Sequence, residues 1–98
     1  MRLIRPHEHA FMDVAQVEVG AEVWASAKHK WRPARVVQVR ASGAMVAFRL
    51  ATAPRIVCQV VPLISLMRRE WEPPARLRLR TTVPTLEEAR MALAKKAA

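Results

Sequence analysis

Only two glycines, one cysteine and eight acidic side chains occur among the 98 residues, and tyrosine is absent. With glycine confined to Gly20 and Gly43, the chain has no Gly-rich loop to cradle phosphates through backbone amides. A lone Cys58 forms no internal disulfide, which excludes the stapled secreted class and predicts a reducing, intracellular setting. That cysteine lies in the apolar run Ile56-Val57-Cys58-Gln59-Val60-Val61, which reads as a small buried side chain and not as a reactive thiol. No apolar run approaches the ~18 residues of a spanning helix. Met1-Arg2-Leu3-Ile4-Arg5-Pro6 lacks the apolar stretch of a signal peptide, so no membrane insertion is expected.

Positive charge is what the chain has in excess. Seventeen Lys and Arg stand against eight Asp and Glu, for a net charge of +9 and an isoelectric point near 11.5. Solubility alone asks for less, so the expected partner is anionic. Nucleic acid is the first candidate, because each neutralised phosphate releases a condensed counterion whatever the base sequence. Thirteen of the basic residues are Arg, the side chain suited to bidentate phosphate contacts; a GC-rich genome would raise arginine in the same way. Residues 19–70 carry nine basic against two acidic side chains, residues 71–98 six against three, and residues 1–18 two against three. The charge is therefore concentrated in the middle of the chain and its C-terminal part.

Hydrophobic periodicity predicts a mainly β fold. Glu22 to Ala27 reads as a first strand and Ala34 to Arg40 as a second, opening after Pro33. Ala41-Ser42-Gly43 is a turn. Ala44 to Leu50 alternates, with Val46, Phe48 and Leu50 facing the core and Met45, Ala47 and Arg49 facing the other way. A loop at 51–54 leads to a fourth strand over Arg55 to Val60, and a short fifth is expected around Ile64 to Met67. Glu72-Pro73-Pro74 breaks the pattern. Arg76-Leu77-Arg78-Leu79-Arg80-Thr81 then alternates strictly, which predicts an extra strand with three arginines on one side. Such a row either meets successive backbone phosphates or protects a sheet edge from aggregation. Thr85-Leu86-Glu87-Glu88 reads as a capping box opening a terminal helix to about Lys96.

Val19-Gly20-Ala21-Glu22-Val23-Trp24-Ala25 followed by Trp31-Arg32-Pro33-Ala34-Arg35-Val36-Val37 resembles the entry into an SH3-like β-barrel of the PWWP and Tudor domains. The resemblance covers about half of the chain, from Val19 to Leu66. It implies a five-stranded barrel over residues 17–70, with an N-terminal extension at 1–16 and the basic strand and helix at 71–98. The family's Pro-Trp-Trp-Pro motif is matched by Lys30-Trp31-Arg32-Pro33, so Arg32 stands where the second tryptophan would be. Members hold methylated lysine in an aromatic cage; the residues here that could line such a groove are Trp24, Trp31 and Phe48. A cation in the cage opposes a cationic ligand, whereas the DNA-contacting surface of these domains is matched by Lys28, His29, Lys30, Arg32 and Arg35. A second SH3-like family, the plasmid-borne type II dihydrofolate reductases, is similar in outline. Its pore-lining Val-Gln-Ile-Tyr-Pro aligns with Cys58-Gln59-Val60-Val61-Pro62, but Val61 replaces the tyrosine.

Catalytic patterns are otherwise sparse. His7-Glu8-His9 offers two imidazoles where a zinc site needs three or four ligands, and no nucleophile with a base and an orienter can be assembled. The expected function is therefore a non-enzymatic nucleic-acid or ribonucleoprotein binding module without metal or cofactor. Lys28, Lys30, Arg32 and Arg35 would contact phosphates, Trp31 would stack, and Arg76, Arg78 and Arg80 would extend the basic track. The alternatives are a structural subunit of a large assembly, docking on neighbouring protein subunits, and a reductase-like enzyme.

Overall fold

The computed structural model describes residues 5–52 and 55–97, the side chains of residues 6, 7 and 97 excepted. Five antiparallel strands, β1 (Glu22–Ala27), β2 (Lys30–Val39), β3 (Gly43–Arg49), β4 (Ile56–Pro62) and β5 (Leu66–Arg68), form one sheet in the order β4-β3-β2-β1-β5. Among the described residues a single α-helix, α1 (Leu86–Ala97), follows. The sheet curls, so that β1 and β4 touch although two strands separate them in the ladder. This is a barrel-like arrangement, in which one face turns inward and the other outward.

Alternation along each strand sorts side chains between those faces. Val23, Ala25 and Ala27 of β1, Ala34 and Val36 of β2, and Ala44, Val46 and Phe48 of β3 fill the inner core together with Val61 and Leu66. Phe48 is fully buried there. The outward set is covered as well. Val37, Met45, Ala47 and Cys58 pack under α1 through Ala89, Ala92 and Leu93, positions spaced three and four apart on one helix face. Trp24, Trp31 and Met67 pack under Trp71 and Leu77 of the C-terminal segment. A sheet buried on both sides explains why Met45 and Ala47 are as apolar as their inward neighbours.

Two turns set the frame. Gly20, at φ +90°, occupies the left-handed region before β1, where L side chains are strained. Gly43 opens β3 so close to β4 that a Cβ would stand 2.1 Å from the Val61 carbonyl oxygen. The β1–β2 hairpin closes through Lys28 and His29, at φ 51° and 67°. In β2 a bulge between Val36 and Gln38 turns Val37 toward α1 and increases the local twist.

Several expectations need correction. β2 starts at Lys30, four residues before Ala34, and Pro33 lies within it, opposite Trp24. β4 extends to Pro62, and β5 is preceded by a 3-10 turn at Leu63–Ser65. Residues 76–81 are not a strand: a 3-10 turn at Ala75–Leu77 follows Pro74, and a single bridge from Arg78 to Trp31 is the one ladder contact of this segment. Prolines 73 and 74 and the turn spend the first half of the alternating run before it reaches the sheet. Residues 53 and 54 of the expected loop at 51–54, and the segment 1–4, lie outside the described residues. The capping box is present, with Glu88 N–H donating to Thr85 Oγ1 and Thr85 N–H to Glu88 Oε1, each at 3.1 Å.

Phe48 carries the inner core, so Phe48→Ala should lower the unfolding free energy by about 3 to 5 kcal/mol in urea denaturation. A variant with an unchanged midpoint would place the ring outside the load of the core.

Candidate nucleic-acid interface

The earlier start of β2 decides where its cations point. Lys30, Trp31, Arg32 and Pro33 alternate across the sheet, which turns Arg32 inward with Ala34. Only 7% of Arg32 is exposed; Nε donates to the Ala27 carbonyl at 2.9 Å, and the guanidinium stands 5.3 Å from the Phe48 ring centroid. Burial pulls its pKa below the ordinary value. This side chain lies inside the fold and is not displayed toward a polyanion. Trp31 and Trp24 face outward and are 4% and 5% exposed. Because Pro33 pairs with Trp24 and Ala34 with Phe48, adjacent β2 positions put the tryptophans and Phe48 on opposite faces. The three aromatics therefore do not share one groove.

Other predicted contacts are occupied by backbone. Arg35 Nε donates to Pro84 O at 2.6 Å and its Nη1 to Gly20 O at 2.7 Å. Arg78, 9% exposed, donates to Pro73 O at 2.6 Å and pairs with Glu72 at 3.3 Å. Without the expected strand, Arg76, Arg78 and Arg80 do not form a one-sided row.

Four predicted cations remain on the surface or at its margin. Lys28 projects from the hairpin tip, and Lys30 Nζ donates to Arg76 O, which brings Arg76 beside that tip. Arg80 is 73% exposed and shares Glu72 with Arg78 at 3.2 Å. It borders a cavity of about 310 Å³ lined by Trp24, Pro33, Arg69, Glu72, Thr81 and Thr82. Thr81 Oγ1 is buried and, among the described residues, has no hydrogen-bond partner. Arg69 lies over the Trp24 ring at 4.4 Å, while Trp24 Nε1 donates to the Arg69 carbonyl at 3.4 Å. Arg69 was absent from the predicted site. Its sequence signal is the pair Arg68-Arg69 two residues before Trp71, a basic pair beside an aromatic.

Among the described residues, no three His, Cys, Asp or Glu side chains gather as a metal site. His9 instead stacks at 4.5 Å on Trp71, and the side chain of residue 7 lies outside the described set. Burial raises the Cys58 thiol pKa, against the opposing charge of Lys96; its Sγ faces Ala89 O at 3.8 Å. No described helix is long and apolar enough to cross a membrane. Comparison of the chain with protein-family models, curated proteins and solved structures returns no match.

At the start of α1, Glu88 also accepts from Arg49 Nη2 at 2.7 Å. The Thr85 amide and then the Arg49 guanidinium hold its carboxyl below the usual range. A depressed folded pKa gives stability that is complete above the unfolded value of about 4.3 and is lost as pH falls through the lower folded value. Glu88→Gln should therefore reduce the difference in urea midpoint between pH 7 and pH 3; an unchanged difference would remove Glu88 from the acid response.

Proposed function

We propose that the protein is a non-enzymatic nucleic-acid or ribonucleoprotein binding module built on an SH3-like barrel of the PWWP and Tudor type. The observation that carries this reading is the cavity beside Trp24, which Arg69 and Arg80 line together with Thr81 and Thr82. A phosphate oxygen can accept from both arginines, while a base displaces Arg69 from the tryptophan face and stacks there. Lys28, Lys30 and Arg76 form a second basic group at the hairpin tip. Glu72 is the one carboxylate lining the cavity among the described residues. It tethers Arg80, and a phosphate competes with it for that guanidinium.

The cage reading is weaker on this geometry, because the two tryptophans and Phe48 are separated by the sheet. Methyl-lysine recognition needs several aromatic faces around one cation.

The test is the salt dependence of binding to a generic single-stranded RNA or a DNA duplex. Replacing Lys28, Arg76 and Arg80 with Gln should reduce the slope of log K against log salt by about 2 to 3 units, at roughly 0.7 to 0.9 per lost phosphate contact. Arg78→Gln should leave the slope unchanged while lowering stability, since its donors already serve Pro73 and Glu72. An unaltered slope in the triple variant would contradict the proposed interface.

A further inference from the structure

The two ends of the sheet are treated differently. At β5, Ala10 forms a bridge with Met67, and Phe11 N–H donates to Leu66 O, so the N-terminal segment seals that edge. β4 lies at the opposite end of the strand order. Which of its backbone groups are already used follows from three contacts. Leu50 N–H donates to Arg55 O and Leu63 N–H to Ser42 O, both across the β3–β4 pair, whereas Cys58 O accepts from Lys96 Nζ at 2.7 Å. In an antiparallel ladder the N–H and C=O of one residue point the same way and reverse at the next. Residues 57, 59 and 61 therefore bond β3, and Ile56, Cys58 and Val60 present their amides and carbonyls to the open side. Among the described residues no backbone group meets them there.

A groove of about 740 Å³ runs along this edge between β4 and α1. Its apolar lining includes Ile56, Met91 and Ala92, and Arg49, Arg55, Lys95 and Lys96 stand around it with Glu88 as the one acid. Among the described residues, Arg49 Nε is buried without a hydrogen-bond partner, although its Nη2 holds Glu88. Val60 and Met91, 51% and 58% exposed, leave apolar surface at the strand and helix.

We infer that this edge is a docking site for an extended acidic segment of another protein, which adds to the sheet as a strand beside β4. An open row of alternating donors and acceptors matches a peptide backbone, and a groove bordered by four cations and one acid selects carboxylate side chains. Lys96 holds the place of an incoming amide at Cys58 O. An added strand displaces its ammonium, which then pairs with an acidic side chain of the newcomer. A second copy of the chain is disfavoured by the repulsion of two +9 molecules. A nucleic acid would satisfy the cations but has no spacing of N–H and C=O groups to match Ile56, Cys58 and Val60.

The test uses the whole protein and a fluorescent decapeptide of alternating glutamate and valine, with the lysine–valine analogue as control. The acidic peptide should bind at least tenfold more tightly by fluorescence anisotropy. On binding, the amides of Ile56, Cys58 and Val60 should gain protection from hydrogen exchange, while those of Val57, Gln59 and Val61 stay protected throughout. N-methylation of alternate peptide amides should abolish binding, and Lys95→Glu should weaken it in a variant whose thermal unfolding is unchanged. A single-stranded RNA decamer should not displace the peptide. Equal binding of both peptides, binding without new protection at the three outward amides, or displacement by the RNA would each overturn the inference.

Discussion

Arg35 joins three parts of the chain that must meet if the sheet is to be covered. It projects from the outer face of β2, between the tryptophan cluster and the surface under α1. Its two donors reach the carbonyl of Gly20, just before β1, and that of Pro84, just before the helix cap. Hydrogen bonds from a charged donor contribute about 1.5 to 3 kcal/mol each, and a partly buried guanidinium left without acceptors costs more than its removal saves. The need to cover both sides of one sheet in so short a chain gives this contact its weight. Residues 71–97 have to lie against the outward face, and Arg35 fixes where the segment crosses from the tryptophans to the helix.

The same device recurs around the extension. Arg78 holds the Pro73 carbonyl, Lys30 holds that of Arg76, Arg49 holds Glu88, and Lys96 reaches back to Cys58. Arg78 and Lys30 supply donors to carbonyls that the broken, proline-containing segment does not satisfy within itself, while Arg49 and Lys96 tie the helix to the sheet through a carboxylate and through a β4 carbonyl. A large share of the positive charge is thus engaged in the fold. Cations outside these contacts are Lys28 and Arg76 at the hairpin tip, Arg69 and Arg80 beside Trp24, and Arg55 and Lys95 at the β4 groove. Net charge alone does not separate these roles; the hydrogen-bond partners do.

Strand periodicity was legible in the sequence because each of β1, β3 and β4 carries an apolar run bounded by turn residues. The capping box was legible because Thr85 and Glu88 act on each other without tertiary help. The inward turn of Arg32 was not legible because β2 was expected to open only at Ala34, after Pro33. The proline is tolerated inside the strand, and the three residues before it then alternate, which turns Arg32 inward. The Arg76–Arg80 row failed for the opposite reason, since local alternation was overridden by two prolines and by the packing of Leu77 against the tryptophans. Arg69 and the open edge of β4 depend on strand order and on what covers which face, and neither is written in local periodicity.

The central claim is that the C-terminal segment is clamped by cation–carbonyl bonds, with Arg35 as the main clamp. Residue-resolved hydrogen exchange on Arg35→Met tests it, because methionine keeps the apolar stem and removes the donors. The amides of Ala92 and Leu93 in α1 should exchange at least tenfold faster relative to Val46 in the central strand than they do in the unaltered protein. Equal acceleration of helix and sheet, or unchanged protection of the helix, would contradict the account.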